Sequence, residues 1–254
     1  MSPGTFFRSS NPEYVYVSLI YENSNFYASW NPSKPVKIGD YGHLQSDHSF
    51  AVEGNIFDTA LPGTFNIAPY EPTSTEEFKC IVSRHVDEIK HSGTGEMGAS
   101  WLHKAKVEQT FTVTRSFGAI LVMTNVRYAT LEPSGALKDL IYSTAFNKHQ
   151  VLVSELYTCS SYARLLAPKQ TRAVQVTLEA SAHQRLLRGT EDAKWTHTAD
   201  GGDFMNGLSK DRGHAFAPLF RLVGREKTFR RLPIRELSPP KWRRVVDEGG
   251  WEQM

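Results

Sequence analysis

The stretch Arg172-Ala173-Val174-Gln175-Val176-Thr177-Leu178-Glu179-Ala180-Ser181 (RAVQVTLEAS) sets Val174, Val176, Leu178 and Ala180 in alternation with Gln175, Thr177, Glu179 and Ser181. A period of two marks a strand with one apolar and one polar face. A half-buried strand of a globular protein typically runs about 5–6 residues, whereas this pattern continues to Ala182 and His183. Ten residues at about 3.4 Å each span ~34 Å, which at a tilt of about 45° projects to ~24 Å. That is close to the apolar band of a membrane barrel, about 25 Å tall. Backbone in lipid must be paired around a closed ring. One chain with a few such strands cannot close a ring, but many copies can. The pattern therefore suits two readings: an ordinary α+β sheet, or a chain that refolds and assembles into a pore.

A second alternation runs from Val107 to Phe117 (VEQTFTVTRSF). Val107, Phe111, Val113 and Phe117 are its apolar positions, with Gln109 and Arg115 as breaks. It leads into Gly118–Val126, which reads as a buried strand. Tyr14–Tyr21 (YVYVSLIY) is almost continuously β-rich and reads as another. Phe50, Val52, Gly54 and Ile56 alternate with polar or small neighbours, a further strand. Pro62, Pro69 and Pro72 make residues 58–73 loop or edge. Ser74 with Glu77 forms a capping box. Behind it, Phe78, Ile81, Val82, His85 and Ile89 repeat at helical spacing and predict a core-packed helix over 74–91. Residues 136–166 fit helix or strand, and 189–213, polar and glycine-rich, read as loop. The sum is an α+β chain, whose 254 residues allow one large domain or two small ones.

Composition agrees with a folded globular chain: 40% of the 254 residues are hydrophobic and 22% charged. Cys80 and Cys159 cannot make a disulfide framework. No charged-then-apolar leader opens the chain, and the longest clearly apolar run, Ala119–Met123, is too short to span a bilayer as a helix. The expectation is a cytoplasmic protein made in soluble form. Net charge is +2 but unevenly placed: residues 212–244 hold ten Lys/Arg against Glu226 and Glu236. Such a basic segment calls for an anionic partner, a phospholipid surface or a nucleic acid. Arg230, Arg231, Arg243 and Arg244 are the candidate headgroup contacts, with Lys34 and Lys37 as the alternative.

Catalytic signatures do not appear. Gly93-Thr94-Gly95-Glu96-Met97-Gly98 is formally G-x-G-x-x-G, but it lacks the preceding strand that a dinucleotide site requires. It reads as a surface loop or as a hinge at Gly93, Gly95 and Gly98. The histidines lack zinc-ligand spacing, and no H-E-x-x-H, C-x-x-C, G-x-S-x-G, P-loop or S-x-x-K set occurs. Neither enzymatic activity nor a cofactor or metal is expected.

The stretches Phe26–Gly42 (FYASWNPSKPVKIGDYG) and Phe50–Phe57 (FAVEGNIF) resemble the fungal branch of the gasdermin family, in particular the small regulator-of-cell-death proteins of heterokaryon incompatibility. The resemblance implies a gasdermin N-terminal-like fold in a single domain over residues 1–254, with a twisted antiparallel sheet, flanking helices and two membrane-inserting β-hairpins. It also implies binding to acidic phospholipid, oligomerisation and pore formation at the plasma membrane, leading to cell death. Val107, Phe111, Val113, Phe117, Val174, Val176, Leu178 and Ala180 are then the lipid-facing residues. Animal gasdermins carry a C-terminal inhibitory domain behind a protease-cut linker, and a chain ending at Met254 has room for neither. Activation is then expected on meeting a variant homologous chain, as in allorecognition, with no nucleic acid involved. The alternative is a soluble α+β module that binds lipid or nucleic acid without inserting.

Overall fold

The computed structural model describes residues 11–44, 49–72, 75–93, 106–169, 172–179, 194–210, 213–225, 235–236, 242–244 and 251–253. It is an α+β structure dominated by antiparallel sheets. Two long strands form its spine: β8 (Phe117–Glu132) and β9 (Val151–Pro168), paired from Phe117↔Pro168 to Thr130↔Glu155. Both are apolar on each face, as a strand covered on both sides must be. The buried strand expected over Gly118–Val126 is the first half of β8.

Around this spine the main sheet is completed by short strands. β5 (Glu76–Val82) and β4 (Ala68–Tyr70) pair with β8. β12 (Asp203–Leu208), β13 (Phe216–Gly224) and β2 (Asp40–Leu44) pair with β9. β1 (Tyr27–Ala28) and β14 (Arg235–Glu236) pair with β13, and β3 (Phe50–Asn55) with β2. A four-stranded sheet of β6 (Val86–Gly93), β7 (Lys106–Val113), β10 (Val174–Glu179) and β11 (Lys194–His197) has the order β11-β10-β7-β6. A two-stranded ribbon, β15 (Trp242–Arg244) with β16 (Trp251–Gln253), ends the described chain.

The layers are helix, main sheet and second sheet. Helix α1 (Pro12–Ser24) covers one face, where Val15, Tyr16 and Ile20 pack on Leu121, Met123, Tyr162 and Leu166. The four-stranded sheet covers the other, where Phe111, Val113, Val174, Val176, Leu178 and Trp195 pack on Ile120, Val122, Ala163, Leu165 and Ala167. At the far end α3 (Ser134–Tyr142) closes a third cluster with Ile56, Ile67 and Leu152.

Under α1, Arg164 is 1% exposed. Its Nε donates to the Trp30 carbonyl at 2.7 Å, its Nη1 to Asp203 Oδ1 at 2.7 Å, and its guanidinium lies 3.5 Å from the Trp30 ring centroid. A buried charge needs that full set of partners. It ties the FYASW stretch to β9 and β12.

Four sequence expectations are corrected. Tyr14–Tyr21 is helix, not strand. Asn11 caps it, its side chain accepting from the Glu13 amide at 3.1 Å, Pro12 occupies the first turn, and Asn25 ends it at φ 60°. Tyr14, Val15, Tyr16, Val17, Ser18 and Ile20 are all buried, so the apolar stripe is too broad to show helical contrast. The helix expected over 74–91 is instead strands β5 and β6. Ile81 packs toward α1 while Phe78, Cys80 and Val82 pack toward the second sheet. Apolar residues on both faces of one strand imitate helical spacing. Ser74 lies outside the described residues. The loop expected over 189–213 contains β11 and β12. Within β12, Gly207 sits where an added Cβ would lie 2.6 Å from Tyr162 Cε1, so the glycine marks a close approach rather than a turn. Finally, residues 58–73 include the short helix α2 (Leu61–Phe65) before β4.

Candidate functional site

The four-stranded sheet is the main sheet's own chain folded back. β5 runs into β6, β7 into β8, β9 into β10 and β11 into β12. The main sheet has these strands in the order β5-β8-β9-β12, and the second sheet has their continuations in the order β6-β7-β10-β11. Two connected sheets with matched order are related by one crease. That crease crosses residues 83–85, 114–116, 169–173 and 198–202, of which 170 and 171 lie outside the described residues.

Backbone hydrogen bonds tie the turns of the crease side by side. The Thr114 amide donates to the His85 carbonyl at 2.9 Å, Lys169 to Ser116 at 3.0 Å, and Thr198 to Gln175 at 3.1 Å. The folded layer consists of two hairpins, β6/β7 and β10/β11, joined by the β7–β10 ladder from Val174↔Phe111 to Glu179↔Lys106. The segments that join β6 to β7 and β10 to β11, residues 94–105 and 180–193, lie outside the described residues. The layer's edges are β6, running away from the crease, and β11, running toward it.

The two faces of the layer differ chemically. Phe111, Val113, Val174 and Val176 are at most 1% exposed against the main sheet. The outer face carries Asp87, Glu108, Thr110, Thr112, Gln175, Thr177, Glu179, Lys194 and Thr196, by strand alternation. Gln109 is a polar exception, buried on the inner face. Burying each such apolar side chain is worth about 1.5–3 kcal/mol. Phe111, Val113, Val174, Val176, Leu178 and Trp195 together therefore hold the layer closed in water by on the order of 10 kcal/mol before opposing terms.

Polar contacts cross the interface. Trp195 Nε1 donates to Ser161 Oγ at 2.6 Å, both side chains buried. Replacing Trp195 by Phe keeps a large ring but leaves Ser161 without this donor, at a cost of about 1–3 kcal/mol. Trp195→Phe should lower the thermal midpoint and raise binding of an apolar fluorescent dye, whereas an unchanged midpoint would show that the bond does not hold the layer. His197, on the same strand, stacks on Phe204 with 4.3 Å between ring centroids, and its Nδ1 accepts from the Ala199 amide at 3.2 Å. Burial holds its imidazole below the ordinary 6.5. A released histidine titrates at its ordinary value, so this stability is complete above about pH 6.5 and is lost as pH falls through the lowered value. Dye binding should rise on acidification from neutral pH, and His197→Phe should flatten that response. An identical response in both proteins would assign it elsewhere.

The lipid-facing residues named from sequence divide as follows. Phe111, Val113, Val174, Val176 and Leu178 share the inner face. Phe117 stands across the crease in β8, packed toward α1. Val107 pairs with Leu178 in the backbone ladder, and Ala180 is outside the described residues. Gly93 ends β6 opposite Val107, while Gly95 and Gly98 are outside the described residues. The element before the glycine joint is therefore strand β6 and not the helix expected over 74–91, and in sequence the joint falls between two strands.

Lys34 and Lys37 are exposed, in a segment whose Gly39 amide donates to Val153 at the start of β9. The crease is at the other end of that strand. Arg243 and Arg244 lie in β15, and Arg230 and Arg231 are outside the described residues. The basic segment is no separate tail, since it begins with core strand β13. There Arg221 pairs with Glu155 at 2.7 Å, and Arg225 donates to the carbonyls of Ile141 and Ser143.

Among the described residues no helix is long and apolar enough to cross a membrane, and no three His, Cys, Asp or Glu gather as metal ligands. The thiol of Cys159 is pushed up to about 12 by burial, which leaves it inert as a nucleophile at neutral pH. No family model matches the chain, and no curated protein matches it either.

Proposed function

We propose that this chain is a pore-forming effector of cell death, as its resemblance to fungal gasdermins implies. It binds acidic phospholipid, assembles with itself or with a variant homologous chain, and straightens the folded layer across the membrane as two β-hairpins. It is cytoplasmic before assembly and at the plasma membrane after it.

The matched strand order carries this reading. Because β6, β7, β10 and β11 continue β5, β8, β9 and β12 in register of order, release of the layer requires rotation at four neighbouring turns and no re-pairing of strands. Its apolar face, hidden in water, is the face that lipid would accept, and its polar face is the one a lumen needs. Because the two edges run in opposite directions, β6 of one copy beside β11 of the next continues an antiparallel ring. The described strands have 4 to 8 residues, and a crossing takes about 9–11.

The test is release of an entrapped dye from vesicles containing phosphatidylserine. Leakage that needs anionic lipid and rises steeply with protein concentration supports the reading. Salt-sensitive vesicle binding with no leakage would instead mark a binding module that does not insert.

A further inference from the structure

The crease gathers cations that are scattered along the sequence. Arg84 lies in its first turn, Arg115 in its second, and Lys169 and Arg172 in its third, and all four side chains are exposed. The turns are neighbours through the His85–Thr114 and Ser116–Lys169 hydrogen bonds, so successive cations are spaced on the scale of adjacent strands, about 5 Å. Among the described residues none of the four enters an ion pair, whereas Glu155 pairs with Arg221 and Asp203 with Arg164. The acidic neighbours are Asp200 in the fourth turn and Asp87 at the start of β6, which leaves the row cationic.

We infer that Arg84, Arg115, Lys169 and Arg172 form a collar for the anionic phosphate groups of a lipid surface. This rests on the pore reading for its purpose, but its binding is separable from insertion. The collar is exposed while the layer is folded, so it can dock the chain first. Once the layer straightens, the same row lies between the inserted strands and the main sheet, at the depth of the headgroups. Apolar strand, cationic ring and soluble body then follow one another along the membrane normal, which is the order the bilayer's polarity demands. Lys34 and Lys37, near the opposite end of β9, would stand away from that plane.

The test compares Arg115→Gln/Arg172→Gln with Lys34→Gln/Lys37→Gln, in co-flotation with phosphatidylcholine vesicles containing phosphatidylserine. All four side chains are exposed, so both variants should keep the wild-type melting curve. The collar variant should lose about 25-fold in vesicle affinity, from two charges each worth roughly fivefold near an anionic surface. The lysine variant should stay near wild type. Equal affinity in collar variant and wild type, or an equal loss in both variants, overturns the collar. Displacement of the protein by inorganic phosphate at matched ionic strength would also overturn it, in favour of a free-anion site. Dye release is recorded in parallel and reports on the pore reading alone. Binding that falls in the collar variant while wild type never leaks keeps the collar and removes the pore.

Discussion

Val176→Asp should open the folded layer and still abolish leakage. Val176 is 1% exposed between the two sheets. A carboxylate there would have Gln109 and His197 as its cross-strand neighbours, and burial disfavours the charged form of that imidazole; taking a charge out of water costs several kcal/mol. The layer should therefore loosen, seen as increased binding of an apolar dye. Release alone does not make a pore, because the same side chain would then face lipid. A charge on a lipid-facing strand opposes insertion by ~2–4 kcal/mol for Arg or Lys at mid-depth and less for Asp, and a ring repeats the cost in every copy. The control is Thr196→Asp, on the outer face of the edge strand opposite Thr177, which should leak at close to the wild-type rate. Thr177 itself is a poorer control, being 6% exposed and directly opposite Glu108. Undiminished leakage by the Val176 variant would remove the inner face from the membrane.

Gly118→Val should act in the opposite direction and release the layer without a trigger. Gly118 opens β8 opposite Ala167. A Cβ added there would lie 2.4 Å from Val86 Cγ2 and 3.0 Å from Val113 Cγ1, and both contacts belong to the folded layer. Its backbone is not among the positive-φ glycines, so a β-branched residue suits the strand, and the nearest atoms its Cβ meets belong to what is folded over it. Overpacking of this kind costs about 1–3 kcal/mol, which corresponds to a leakage rate raised roughly 5- to 160-fold if release limits the rate. Higher dye binding with unchanged leakage would show that a later step, such as ring assembly, is limiting.

Part of this molecule was legible before any coordinates. The alternation at 174–178 and at 111–113 named two of the four strands of the folded layer and their apolar faces, because period two depends only on which side chain follows which. The strand at 118–126 came from the same reasoning, whereas the helical part of the α+β class rested on a helix over 74–91 that is strands β5 and β6. Strand β11 was hidden, since Lys194–His197 is too short to show a period, and its Trp195 finds its meaning only in Ser161, 34 positions away in sequence. Helix α1 was misread because it is buried almost all round. The capping signal at Asn11-Pro12 was the clue that outweighed its β-rich composition.

The sequence by itself determined which stretches can present an apolar face to something and a polar face to water. A local pattern encodes that much, because it is a property of consecutive side chains. Only the tertiary structure decided what that apolar face meets. The tertiary structure turned two separate alternating stretches into one layer, set its order to match the sheet beneath, and brought Arg84, Arg115, Lys169 and Arg172 to a single crease. Those relations depend on strand pairing between residues many positions apart, such as Phe111 with Val174 and Phe117 with Pro168. Partner choice of that kind is set by the packing of the whole core and leaves no periodic trace in the chain.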